Sequence, residues 1–168
     1  YESSIHKYNN QMWAEKLGLR EFLHGDEDLV IELNSLLQSV ETDMTIFFRL
    51  LSSIHEPEID QLKFAFYDEE KIPVNEWNLW LNKWWARANG QPDQEKMKRA
   101  NPKYVLRNWM AQLAIDAAEK DDYSVANELY ELLKNPYDEQ SEFENEWFQK
   151  RPEWARHRVG CSMLSCSS

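Results

Sequence analysis

Few residues in this chain are suited to chemistry, and most of those stand alone. His6, His24 and His55 are isolated, whereas His157, Cys161 and Cys166 fall close enough in sequence to share a metal ion. A structural zinc site takes four such ligands, so three near the chain end read better as ordinary side chains than as a metal centre. Neither cysteine has a histidine and a third orienting group placed for nucleophilic catalysis. Cys166 does sit among serines in a polar terminus, Ser165-Cys166-Ser167-Ser168, where a thiol is reachable for exchange. From the residues alone, Cys161 and Cys166 are ordinary tail thiols.

Phosphate chemistry has its own requirements. A phosphate-cradling loop needs closely spaced glycines, so that backbone N–H groups can approach the anion. Gly18, Gly25, Gly90 and Gly160 each stand alone, which excludes a P-loop and a kinase-type glycine-rich loop. The kinase catalytic loop and Asp-Phe-Gly element are missing too. Catalytic, cofactor and metal roles are therefore assigned to no residue of the chain. One local positive run remains, Lys96, Lys98 and Arg99 followed by Lys103 and Arg107. It invites a phosphate, but a solvated helix face pairing with Asp93 and Glu95 is the favoured reading.

Helices must position these groups. The stretch Asn101–Asp121 reads as the organising one, with Asn101 as N-cap, Pro102 at the first helical position and Leu106, Met110, Leu113, Ala114 and Ala117 on one face. Asp121 and Asp122 break it, and a second helix runs Tyr123 to Lys134, stopping at Asn135-Pro136. Upstream, Ile5, Tyr8, Met12 and Trp13 keep helical spacing until Gly18, and a helix opening at Asp26 turns Leu29, Val30, Leu33, Leu36, Leu37 and Val40 inward. Thr42 or Asp43 caps an almost wholly apolar run, Met44 to Ile54, from which Arg49 is expected to snorkel outward rather than anchor a carboxylate. A short helix follows Pro57. Trp77, Trp80, Leu81, Trp84, Trp85 and Ala88 then form an aromatic stripe, better suited to a core than to stacking bases, and Gly90 ends it. Ser141 to Glu144 fits a capping box, and residues 155–168 read as a tail.

Several of these stretches resemble the C-terminal part of the selenoprotein O (SelO) family. The resemblance is carried by NPKYVLRN at 101–108, Gln112, Ala114-Ile115, Ala118-Glu119 and Asn135-Pro136-Tyr137-Asp138, with Met97 ahead of it. Lys16-Leu17-Gly18-Leu19 and Phe47-Phe48-Arg49 match upstream, and the final Ser-Cys-Ser-Ser is similar to a terminus that bears selenocysteine in some members. The resemblance implies a protein-kinase-like fold in a longer protein that moves AMP from ATP to protein hydroxyls. ATP and Mg²⁺ would be held upstream of this region, and no cofactor by this chain. It also implies a redox role for Cys166, paired with an upstream cysteine or with Cys161.

Composition sets the remaining bounds. The chain has 168 residues, 42% of them hydrophobic, with eight Trp but four Gly, which suits an all-α core and argues against a turn-rich sheet protein. A formal net charge of −11 opposes a nucleic-acid backbone or an anionic membrane as partner. No apolar run reaches the roughly 20 residues of a membrane span, and no signal-peptide pattern opens the chain. Two cysteines are too few for a disulfide scaffold, pointing to an intracellular site: the bacterial cytoplasm, or the mitochondrion if eukaryotic. Tyr1 in place of Met suggests a fragment or a processed product.

The expectation is thus an irregular all-α domain of seven or eight helices over 1–154, with a poorly ordered Cys-containing tail at 155–168. It would be inactive alone and would partner the upstream kinase-like region of the same protein, whose own protein substrates are open. The competing expectation is a free-standing helical module that binds a protein.

Overall fold

The computed structural model describes residues 2–159 and 161, and among them regular structure is helical apart from isolated bridge positions, an antiparallel pair at Thr42 and Phe66 and another at Val159. The all-α expectation holds. The expected span 1–154 comprises two compact units, divided between Asn101 and Pro102.

The first unit contains α1 (Glu2–Lys16), α2 (Asp26–Ser39), α3 (Met44–Leu51), a 3₁₀ segment (Ile59–Ala65), a shorter one (Glu69–Lys71), α4 (Val74–Arg87) and α5 (Gln94–Ala100). Helix α4 is central because its apolar stripe is aromatic: Trp77, Trp80, Leu81 and Trp84 are all buried. Trp77 meets Phe47 of α3 at 5.2 Å and Phe66 edge-on at 5.5 Å, and Trp80 and Trp84 lie parallel at 6.0 Å. Both of the latter indoles also find acceptors. Trp80 Nε1 donates to the Leu29 carbonyl of α2 at 2.8 Å, and Trp84 Nε1 to the Leu17 carbonyl at 2.9 Å.

Local chemistry marks the helix ends as expected. Gly18 closes α1 at φ +63°, and Asp43 caps α3 by accepting from the Ile46 N–H at 3.1 Å. Position 18 must lack a side chain, since a Cβ there would stand 2.8 Å from Met97 Sδ and 2.9 Å from the Asp93 nitrogen. On α2 the inward set is buried except for half-buried Leu36. In α1, by contrast, Ile5, Tyr8 and Met12 are exposed.

The second unit contains α6 (Asn108–Ala118), α7 (Ser124–Lys134), a 3₁₀ turn (Ser141–Phe143) and two single-turn helices, α8 (Glu144–Trp147) and α9 (Glu153–Arg156). Helices α6 and α7 pack as a hairpin whose turn is eased by Asp121 at φ +62°. Trp109 of α6 stacks on Trp147 at 5.9 Å, and Trp147 Nε1 donates to Glu128 of α7 at 2.6 Å.

Two sequence expectations are corrected. No helix starts at Asn101: that residue ends α5, residues 102–107 are not helical, and α6 begins at Asn108. Tertiary hydrogen bonds displace the helical ones, because the Lys103 and Tyr104 N–H groups both donate to the Pro136 carbonyl, at 2.8 and 3.1 Å. Leu106 is consequently outside the helix and 53% exposed. Arg49 does not snorkel either; it is 4% exposed, with Nη1 donating to the Lys98 and Asn101 carbonyls at 3.2 Å each.

Because Trp84 combines full burial with a hydrogen bond to the end of α1, Trp84→Ala should destabilise the protein by about 3–5 kcal/mol in urea unfolding. Trp84→Phe, which loses the N–H but keeps most of the apolar volume, should cost only about 1–2 kcal/mol. Equal midpoints for the wild type and Trp84→Ala would contradict the burial.

Candidate functional site

The segment that carries the family resemblance begins at Asn101, whose side chain is the polar centre of the first unit. Asn101 is 1% exposed. Its Oδ1 accepts from Lys16 Nζ at 2.8 Å, and its Nδ2 donates to the Lys16 carbonyl at 3.0 Å and to Ser52 Oγ at 3.3 Å. The Ser52 hydroxyl donates in turn to the Phe48 carbonyl at 2.7 Å. Arg49 reaches the Asn101 carbonyl, as above. One amide side chain thus links the ends of α1, α3 and α5. Among the described residues Lys16 meets no carboxylate; its ammonium lies 3.9 Å over the Phe48 ring, and burial pulls its pKa below the usual lysine value. These groups spend their capacity on backbone and on one another, which suits a structural clamp.

In the second unit the corresponding centre is Lys103, 5% exposed. Its Nζ donates to Glu144 Oε2 at 2.6 Å, to Glu139 Oε2 at 3.0 Å and to the Glu139 carbonyl at 2.9 Å. Tyr104 adds hydrogen bonds from its hydroxyl to the Glu139 and Gln140 carbonyls, at 3.0 and 2.9 Å, and sets its ring edge-on to Phe148. Burial by itself would lower the Lys103 pKa, but hydrogen bonds to Glu144 and Glu139 outweigh it and raise the value. Burial raises that of the Tyr104 hydroxyl. The chain from Glu139 to Phe148 is thereby fastened to the strand-like approach of α6.

The positive run read from the sequence does not form one patch. Lys96 donates to the Leu19 and Arg20 carbonyls, and Lys103 goes to Glu139 and Glu144, so neither pairs with Asp93 or Glu95. The Asp93 carboxylate instead caps α5 by accepting from the Lys96 N–H at 2.9 Å. Cys161 is buried and free among the described residues, its carbonyl accepting from Asn108 at 3.5 Å, while His157 is exposed. Cys166 lies outside the described residues. Among those residues no three His, Cys, Asp or Glu side chains group as a metal site, and no helix is long and apolar enough to cross a membrane. The sequence reading missed Ser52, Glu139 and Glu144, whose partners lie 36 to 49 residues away and leave no local signature.

A family model described as protein adenylyltransferase SelO matches residues 1–134. The chain belongs to the SelO family. It is 51% identical over 171 residues to a protein nucleotidyltransferase YdiU of Flavobacterium johnsoniae, covering 94% of this chain and 33% of that protein. Proteins of the same name from Aromatoleum aromaticum and Rhodopirellula baltica are 46% and 41% identical, covering all of this chain and 34% and 35% of their own lengths. The chain spans about a third of the length of the curated relatives it matches. The SelO match includes Asn101, Lys103 and Tyr104, whereas Glu139, Glu144 and Cys161 lie beyond it.

The raised pKa of Lys103 gives a pH test. Folded Lys103 keeps its proton to higher pH than the unfolded chain, so its stabilisation is complete below the ordinary value of 10.5 and fades as pH rises through the folded value. Lys103→Met should cost about 1–3 kcal/mol at neutral pH, because both carboxylates are half-exposed and can rehydrate. The difference in urea midpoint from wild type should narrow above that value. A gap that stays constant through pH 11.5 (about one unit above the free lysine value) would refute a charged Lys103 as the lock.

Proposed function

We propose that this chain is the C-terminal, non-catalytic portion of a SelO protein adenylyltransferase, in which an upstream kinase-like region binds ATP and Mg²⁺ and moves AMP to protein hydroxyls. The observation that carries the reading is the length relation: the chain is matched almost end to end, yet accounts for about a third of each relative. A surface of the first unit supports it. Ile5, Tyr8 and Met12, at offsets 0, 3 and 7 on α1, are 57%, 73% and 42% exposed. Such an uncovered stripe on one helix face is what a missing neighbour would bury. The chain's own residues serve by holding that face and the two polar clamps in place.

Labelled-AMP transfer tests the assignment: the full-length homologous protein should score, and residues 1–168 alone should be blank. Transfer by the isolated chain would overturn the non-catalytic part of the reading. The α1 face is tested by Ile5→Glu with Tyr8→Glu. In residues 1–168 the pair should shift stability by no more than about 0.5 kcal/mol, as for exposed positions. In the full-length protein it should cost about 2 kcal/mol or more, as expected when charge enters an apolar interface. Equal effects in both contexts would favour a free-standing module instead.

Redox control through Cys166 belongs to the same reading. Its thiol joins that of Cys161 or of an upstream cysteine, the two thiols giving two protons and two electrons to an oxidised thiol such as glutathione disulfide. Cys161 is buried, so a bond to it requires local opening, and the upstream partner is favoured. Mass spectrometry of the full-length protein in oxidised glutathione should find Cys166 in a reducible disulfide. Free thiol at every oxidising potential would remove this part.

A further inference from the structure

A hollow in the first unit, about 390 Å³, is lined by side chains that keep part of their hydrogen-bonding capacity unspent. Three cations border it: Arg20, Arg87 and Lys96. The Arg20 side chain has no partner among the described residues and is exposed. Among the described residues the Lys96 ammonium is held only by neutral oxygens, the Leu19 carbonyl at 2.8 Å and the Arg20 carbonyl at 3.4 Å. Arg87 spends Nε and Nη2 on Asp26 at 2.7 and 2.8 Å, and Nη2 also on the Glu21 carbonyl at 2.9 Å. Its Nη1 remains. Asn89 and Gln91 add two side-chain amides without partners among the described residues.

Charge decides what such a hollow admits. Counting Asp93, which lines it, and Asp26 behind Arg87, three cations face two carboxylates, so the lining is net positive in a chain of net −11. Both carboxylates are already engaged, Asp93 with the Lys96 N–H and Asp26 with Arg87 and the Leu23 N–H. The excess of cationic over carboxylate side chains in the lining favours an oxyanion over a metal cation. Guanidinium forks match phosphate oxygens in geometry as well as charge. The volume lies in the range of small-molecule sites.

The frame is fixed. The Asp93 N–H donates to the Gly18 carbonyl at 3.0 Å, binding the end of α1 to the start of α5. Asn89 and Gly90 are consecutive residues in the left-handed region, φ +54° and +73°, which turns the chain sharply after α4. Asn and Gly are the residues that adopt this region most readily, and the turn is a regular helix C-terminal one, with the Gly90 N–H donating to the Trp85 carbonyl at 2.8 Å.

We propose that this hollow binds the phosphoryl group of a phosphorylated small molecule, gripped by Arg20, Lys96 and Arg87 Nη1, with Asn89 and Gln91 contacting the remainder. The site does not depend on the reading of the chain as part of an adenylyltransferase.

Nuclear magnetic resonance titration of ¹⁵N-labelled residues 1–168 at constant ionic strength tests it, with ribose 5-phosphate, inorganic phosphate and ribose as probes. Ribose 5-phosphate should give saturable shifts at the amides of Gly18, Asn89, Gly90 and Gln91, with Kd tighter than about 1 mM. Inorganic phosphate should shift the same amides more weakly, and ribose should be silent. Arg20→Gln removes an exposed, unpartnered side chain, so the fold should persist and affinity should fall at least about fivefold, as for loss of one charge-assisted contact. Lys96→Gln should weaken binding similarly and guards against an accident at one position. No saturation by about 10 mM ribose 5-phosphate, far weaker than a built site allows, would overturn the proposal. So would shifts centred elsewhere, equal response to ribose, or unchanged affinity in both variants.

Discussion

Two indole N–H groups set the geometry of the first unit. Trp80 and Trp84 stack one turn apart on α4, and each sends its single donor to a backbone carbonyl of another element, Leu29 in α2 and Leu17 after α1. An apolar stripe alone fixes which face is buried but tolerates sliding along the helix. A buried indole must find an acceptor or forfeit the hydrogen bond it made to water, so these two contacts fix the register of α4 against both neighbours. The end of α1 is then constrained a second time by Gly18, where the backbone of α5 approaches too closely for a side chain. The hollow bordered by Arg20, Arg87 and Lys96 inherits its shape from these constraints, since Arg20 follows the pinned end of α1, Arg87 is the last residue of α4 and Lys96 stands in the first turn of α5.

Much of this was legible in the sequence, for a simple reason: helical spacing of apolar residues is a local signal. The stripe Trp77, Trp80, Leu81, Trp84 and the set Leu29, Val30, Leu33, Leu37 were both readable and both buried. Asp43 was readable as a cap because its acceptor serves an N–H only three residues away. The failures share a different cause. Asn101-Pro102 carries a helix-start signature, but whether the following N–H groups turn inward to a helix or outward to Pro136 is decided by a carbonyl over thirty residues downstream. Arg49 looked able to reach water along its own helix, and only the arrival of the Lys98 and Asn101 carbonyls makes burial tolerable.

The same limit explains why the basic run was misread as one surface. Lys96 and Lys103 are neighbours in sequence, but one ends on carbonyls after α1 and the other on acids beside α8. Charge counted along a chain says little about where potential accumulates once the chain folds. In this SelO family member the residue that completes the positive hollow, Arg20, stood outside the run that sequence reading singled out. Nothing around Arg20 in the sequence announces it, because its partners in lining the hollow come from the end of α4 and the start of α5.

Spare hydrogen-bonding capacity separates the clamps from the hollow. At Asn101 the amide oxygen and nitrogen are both occupied, and at Lys103 three oxygens meet three ammonium protons. Groups so committed cannot bind a further ligand without breaking what they hold, and their removal should be felt first in stability. Arg20, Arg87 Nη1, Asn89 and Gln91 are in the opposite condition: donors that line the hollow and have no side-chain partner among the described residues. In water such donors are satisfied cheaply, so their convergence contributes nothing to folding. Bringing cations together costs repulsion. Features that cost folding free energy and return none within the chain are accounted for when an anion supplies the missing acceptors.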